Sequence, residues 1–301
     1  MDDLLSRPIL LIGAGRSGST LFSRILNAHP RIHYFGETNF LVARLWREAW
    51  EDRFWLNSSL YVKGEPRSSR EDVPTLDSVT LKKEEERVAA AVRSCFGEIM
   101  QLRADVDAWG YNEIWNGNDA VARIAWDGYD AVFPRAIWVH LIRNPFDFLI
   151  SLARWNLFPI TEKFIVWELK HWVEMFAWNR ERQARMPRYF EIRYETLVSE
   201  PRAVLAPILD AAGVAWDGRC LDALNHRVLS SKRDSVFRPL KPLDRRRLER
   251  LVGKIDGLSA ALSELGYAIP DEFPLEEESA DATARVPKMV DLRVPTRVQP
   301  L

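Results

Sequence analysis

The chain has 301 residues, 47% of them hydrophobic, enough for one large α/β domain with helical insertions or for two small domains. A net charge of -1 argues against general nucleic-acid binding, and no apolar run approaches the roughly 20 residues of a membrane span. Residues 1–7 hold two acids and one arginine, unlike a secretory leader, and Cys95 and Cys220 have neither metal nor redox spacing, so a reduced, cytoplasmic setting is expected.

Ile9 to Ile12 are four apolar residues in a row, the pattern of a parallel strand covered on both faces. Gly13, Gly15 and Gly18 follow and permit positive φ and close approach of a ligand. Ser17, Ser19 and Thr20 can cap a helix running to about Asn27. Strand, glycine loop and helix start together present backbone N–H groups to an anion. The spacing Gly13-x4-Gly18 is that of a nucleotide phosphate loop, but Ser19 stands where a nucleoside triphosphatase needs lysine. The fixed positive charge is Arg16, inside the loop. An anion other than ATP with magnesium is therefore expected, against the alternative of a tight turn without ligand.

Pro30 ends the first helix, Ile32 to Phe35 predicts a short strand, and a new helix is expected from Glu37, with Phe40, Leu41, Leu45 and Trp46 at helical spacing. Glu37 reads either as a carboxylate complementing a helix dipole or as a general base beside the anion loop. His29 and His33 are rival bases, His29 reading first as a turn-packing residue before proline. Residues 52–77, rich in Ser, Pro, Gly and charge, read as a surface excursion that could act as a lid. A helix is expected over 78–104, with Leu81, Val88, Val92 and Phe96 on one side, and a strand over Ala108 to Trp115.

The apolar stretch Ala136–Ile142 ends in Arg143, after which Pro145 opens a helix containing Ser151 and Arg154. An arginine at a strand end and a serine eight residues on suit a second phosphate: a planar fork and a hydroxyl donor. Residues 161–186 read as a long, mostly buried helix with His171 in its apolar stripe, 188–193 as a strand, and Pro201 to Ala212 as a helix. The stretch 227–254 is basic, Leu248 to Leu265 is the last clear helix, and 270–301 reads as an extended tail. Twelve tryptophans point first to core packing and second to an aromatic acceptor pocket.

The run Arg16-Ser17-Gly18-Ser19-Thr20 resembles the 5′-phosphosulfate loop of sulfotransferases that use 3′-phosphoadenosine 5′-phosphosulfate (PAPS). Leu26-Asn27-Ala28-His29-Pro30 followed by Gly36-Glu37-Thr38 is similar to tyrosylprotein sulfotransferases, and the resemblance implies Glu37 as catalytic base. The pair Arg143 and Ser151 resembles the family's 3′-phosphate motif, which separates PAPS from ATP. Tyr194-Glu195-Thr196-Leu197-Val198 before a proline-led helix also recurs there, with the tyrosine near the nucleotide. Lys232 to Pro239 resembles a loop that closes over PAPS, with Lys232 in place of the family's serine. The resemblance puts one or two of Lys232, Arg233, Arg238 and Arg247 at the nucleotide phosphates. Asn112-Glu113 departs from the lysine that relatives often carry at this strand end.

The order of elements predicts a three-layer α/β fold with a mainly parallel sheet. The resemblance, over roughly residues 8–266, implies a P-loop-like sulfotransferase fold with helical insertions: one domain over 1–269 and a tail over 270–301. It implies PAPS as donor and no metal, with Glu37 and Arg16 catalytic. Arg16, Ser17, Gly18, Ser19, Thr20, Arg143, Ser151, Arg154, Tyr194, Lys232 and Arg247 are the candidate nucleotide contacts. The acceptor is expected to carry a hydroxyl, as a peptide tyrosine or a small-molecule alcohol, and a homodimer is left open. The alternatives are a P-loop kinase-like phosphotransferase and a non-catalytic protein that binds PAP, the desulfonated nucleotide.

Overall fold

Alternation along the strands decides which face of the sheet each apolar residue covers, and the helices follow from it. The computed structural model describes residues 2–51, 78–115, 128–156, 158–184, 186, 188–225 and 237–278. These fall into two compact units: residues 1–148 with 171–230, and residues 149–170 with 231–301.

The first unit is built on a five-stranded sheet, β1 (Ile9–Ala14), β2 (Ile32–Glu37), β3 (Ala108–Trp115), β4 (Ile137–Ile142) and β5 (Tyr189–Arg193). Their order is β2-β3-β1-β4-β5, and every pairing is parallel. β1 is therefore central, and both of its faces are covered. Ile9 and Leu11 pack with Leu21, Phe22, Ile25 and Leu26 of helix α2 (Ser19–Asn27), after a single turn α1 (Asp2–Leu5). Leu10 and Ile12 pack on the other face with Val88, Val92 and Phe96 of α4 (Ser78–Ile99) and with Val42 and Trp46 of α3 (Leu41–Trp46). This makes three layers, as the period-2 alternation of a doubly covered strand requires. Trp46, Trp109 and Trp138 lie in the second cluster, so these tryptophans are core.

The chain leaves β1 towards β2 on one side of the sheet and leaves β4 towards β5 on the other. In an open α/β sheet the crevice at such a reversal, beyond the strand carboxyl ends, is where ligands bind. Helix α5 (Pro145–Asn156) follows β4, α6 (Glu162–Gln183) precedes β5, and α7 (Tyr194–Ser199) and α8 (Pro201–Ala212) follow it. Pro201 stands in the first turn of α8, where its missing N–H costs nothing.

The second unit holds a two-stranded antiparallel sheet of β6 (Phe237–Asp244) and β7 (Glu272–Glu278), with α9 (Arg245–Val252) and α10 (Leu258–Leu265). The single helix expected over Leu248–Leu265 is two. Gly253 and Gly257, the latter at φ 78, interrupt it, because a left-handed residue cannot continue a right-handed turn. Within the stretch expected as a tail, Glu272–Glu278 is a strand paired with β6. Residues 52–77 and Lys232 and Arg233 lie outside the described residues.

Candidate active site

The loop after β1 is shaped by two left-handed residues, Arg16 at φ 69 and Gly18 at φ 110. Backbone that turns this way points successive N–H groups into one concavity, a ready anion cradle. Gly18 precedes α2 and no side chain caps that helix, which leaves its first N–H groups to a ligand. Gly18 has a steric reason as well: a Cβ there would meet the Tyr194 ring at 2.4 Å. Ser17 is only 1% exposed, and its buried Oγ has no hydrogen-bond partner.

Arg143, at the end of β4, lies against this loop. Its guanidinium donates to the Arg16 carbonyl at 3.0 Å and sits 4.6 Å above the centre of the Tyr194 ring, a cation–π stack. Its Nε is buried without a partner. The Trp172 indole donates to the Arg143 carbonyl at 3.3 Å. Next along, the Asn144 backbone N–H donates to Glu195 at 2.9 Å, and the Asn144 side chain accepts from Phe146 N–H at 2.9 Å, capping α5 ahead of Pro145. Burial and the charge of Arg143 both lower the pKa of Arg16, and Glu37 opposes them. The two positive charges repel each other, which is why Arg143 adds to burial in lowering Arg16.

Glu37 ends β2 rather than opening a helix, and α3 begins only at Leu41. The expected helix start is displaced because Asn39 and Phe40 both take φ 56, which a right-handed helix excludes. The helix-dipole explanation for this carboxylate therefore falls away. Glu37 lines a cavity of about 470 Å³ together with Thr20, Ser23, Arg24 and Asn27 of α2 and Asn112 of β3. No aromatic residue lines it, so the aromatic acceptor pocket expected from the tryptophan count is not at this cavity. Partial burial raises the Glu37 carboxyl above its ordinary 4.5, and Arg16 pulls the other way. The residue keeps more than a third of its surface open, so the effect is modest.

The rival bases are occupied. His29 is buried, with Nε2 at 2.9 Å from the Ala215 carbonyl and Nδ1 accepting from Arg31 N–H. His33 accepts from Arg103 N–H at 3.3 Å and packs on Phe35, near the start of β2, away from its carboxyl end.

Asn112 and Glu113, in place of a lysine, are both 2% exposed and both bonded. Asn112 donates to Ser23 Oγ at 2.8 Å and accepts from Tyr34 at 3.0 Å. Glu113 accepts from Thr38 Oγ1, from Tyr129 at 2.7 Å and from Phe40 N–H at 3.0 Å. Burial lifts its carboxyl to about 7, offset in part by those three donors and raised further by Glu37. Nothing local in the sequence marks this cluster, since Thr38 and Glu113 are 75 positions apart.

Of the candidate contacts, Arg16, Ser17, Gly18, Ser19, Thr20, Arg143, Tyr194 and Glu37 all lie in the first unit, about the loop and the α2 face that follows it. Ser151 and Arg154 lie in the second unit on α5, and Arg247 lies in the same unit on α9, paired with Glu162 at 2.5 Å. Lys232 lies outside the described residues. Among the described residues there is no cluster of His, Cys, Asp or Glu that could hold a metal ion, and no helix long and apolar enough to cross a membrane.

Sheet order, glycine loop and strand-end arginine define an α/β protein with a loop and Arg143 together at the carboxyl end of the central strands. The chain belongs to the sulfotransferase family, whose model matches residues 8–218. An uncharacterized protein of Aquifex aeolicus (strain VF5) is 26% identical over 233 residues, 72% of this chain and 26% of that protein. The chain thus spans about a quarter of the length of the curated relative it matches. The sulfotransferase domain from the curacin biosynthetic pathway is similar in structure, with TM-score 0.51 and 16% identity over 88% of this chain and 99% of that one. The sulfotransferase domain of the Synechococcus PCC 7002 olefin synthase gives TM-score 0.48 and 22% identity over 76% and 81% of the two chains.

Proposed function

We propose that the chain transfers a sulfonyl group from PAPS to the hydroxyl of an acceptor. The observation that carries this is the pair of buried, unpartnered donors, Ser17 Oγ and Arg143 Nε, at a loop already turned to present its N–H groups. Buried donors left without partners cost about 1–3 kcal/mol each, and an acceptor-rich ligand at this loop would satisfy both. A phosphosulfate meeting the backbone of residues 16–20, with Arg143 on a second phosphate, supplies those oxygens.

Glu37 is the base in this scheme. It lines the cavity that adjoins Thr20, at the loop's helical end. The acceptor hydroxyl gives its proton to the Glu37 carboxylate while its oxygen forms a bond to sulfur. The bond from sulfur to the 5′-phosphate oxygen breaks, and PAP departs. Arg16 and the loop N–H groups stabilise the charge gathering on that leaving oxygen. Polar side chains at the cavity, among them Glu37, Arg24 and Asn27, offer hydrogen bonds to an acceptor hydroxyl, whether of a peptide side chain or a small alcohol.

The test is calorimetric binding of PAP, of ADP and of ATP with magnesium. Binding of PAP at least tenfold tighter than either rival, lost in Arg143→Ala, supports the donor assignment. Preference for ATP with magnesium, or no nucleotide binding, overturns it.

A further inference from the structure

Glu37 stands at the very end of its strand, in register with Asn112 of β3. It is the last residue of β2, next to a register shift between Tyr34 and Glu37, and the chain then runs through Thr38 into two left-handed residues, Asn39 and Phe40. A bulky residue such as phenylalanine pays roughly 1–2 kcal/mol for that backbone conformation. Something must hold the turn against this strain. Thr38 N–H reaches the Asn112 carbonyl at only 3.4 Å, a weak bond. Leu41 N–H donates to the Thr38 carbonyl at 3.2 Å, and a further hold comes from one side chain on the neighbouring strand. The Glu113 carboxylate, 2% exposed, takes the Thr38 hydroxyl on one oxygen and the Phe40 N–H on the other. The Tyr129 hydroxyl, itself buried, holds that carboxylate from behind at 2.7 Å.

A neutral residue of the same length would serve this geometry less well. The three donors converge on two oxygens, and a carboxylate accepts on both where an amide accepts on one. Burial makes the charged form of Glu113 costly, and the three donors offset part of that cost.

We propose that Glu113 is the positioning residue of this site: its carboxylate clamps the Thr38–Phe40 turn and so keeps Glu37 at the cavity wall. This rests on the assignment of Glu37 as base. It also accounts for the departure at Asn112-Glu113, where the strand end supplies a clamp in place of a cation.

The experiment is a double-mutant cycle on single-turnover transfer from radiolabelled PAPS to phenol, whose proton stays on at neutral pH, read together with PAP affinity. Glu113→Ala is expected to slow transfer by about 30-fold or more, as a base misplaced by about 1 Å does. PAP affinity changes less than about threefold, because the clamp acts on the base and not on the donor loop. In a Glu37→Gln background the same substitution costs less than about twofold, since the group it positions is already gone. If Glu113→Ala fails to fold, Thr38→Val, which removes one of the three donors, carries the same readouts with a loss of about fivefold. Transfer at the wild-type rate, PAP affinity falling in step with transfer, or an equal loss in the Glu37→Gln background each overturn the proposal. Wild-type transfer by Glu37→Gln itself instead removes the base assignment, and the clamp falls with it.

Discussion

Gly18→Ala is the sharpest single test of the anion loop. Gly18 sits at φ 110, where an L-residue is strained by roughly 1–2 kcal/mol. The added Cβ would lie 2.4 Å from Cδ2 and 2.9 Å from Cε2 of Tyr194, so the ring must move about 1 Å to restore ordinary contact. That ring carries Arg143 on its face, and overpacking of this kind costs about 1–3 kcal/mol. Together the two effects predict a loss of about 2–5 kcal/mol, or a Tm lower by roughly 3–8 °C. Denaturant unfolding gives the first figure and thermal melting the second. PAP affinity should fall at least tenfold in the same variant, since the loop N–H groups and Arg143 shift together. Combining Gly18→Ala with Tyr194→Ala separates the terms: the steric part disappears and about 1–2 kcal/mol of backbone strain is left. A Gly18→Ala protein within about 0.5 kcal/mol of wild type, still binding PAP normally, would falsify the packing of Tyr194 over this loop.

Arg143→Ala should weaken PAP binding by roughly 10–160-fold, the worth of one charge-assisted contact, and Arg143→Lys should recover only part, having no planar fork; calorimetry decides it. Glu37→Gln should lower kcat by about 10²–10⁴ with PAP affinity unchanged. Because burial raises the Glu37 carboxyl and transfer needs it ionised, the wild-type rate should fall as pH drops through a value above 4.5, a limb absent in Glu37→Gln; a pH–rate profile checks both. Glu113 and Glu168 are each lifted by burial to about 7. A carboxyl raised in the folded state binds its proton more tightly there, so stability should fall as pH rises from about 4.5 to about 7 and level off above. For Glu113 alone that is about 3 kcal/mol, and unfolding of Glu113→Gln across this range should show a flatter slope. Gly110 pairs with Ile9 on the central strand, and a Cβ there would meet the Ile9 carbonyl oxygen at 2.2 Å and the Tyr34 ring at 2.6 Å. Gly110→Ala should therefore cost about 3 kcal/mol or more by chemical denaturation, the backbone being unable to yield as a side chain would.

Much of the glycine loop and its flanking elements was legible from residues alone, because the signals are local. Four apolar residues, a glycine-spaced loop with Arg16 inside it, and serines at a helix start fall within one short run, and that run folds as β1, loop and α2. Arg143 at a strand end before Pro145 was equally local. The strand and exit read over Ala108 to Trp115, and the proline-led helix read to Ala212, are β3 and α8. Only the tertiary structure decided what surrounds Glu37. Its place at the end of a strand depends on left-handed backbone at Asn39 and Phe40, which no propensity of those residues announces. The clamp that holds the turn comes from Glu113, brought beside it by parallel pairing of β2 with β3. Parallel strands need long crossovers, so partners at their ends are far apart in sequence and invisible to any window along it. The break between α9 and α10 had a local sign in Gly253 and Gly257, and the pairing of Glu272–Glu278 with β6 had none. Chemistry at a loop is written in neighbouring residues; the position of a base on the next strand is written in the sheet.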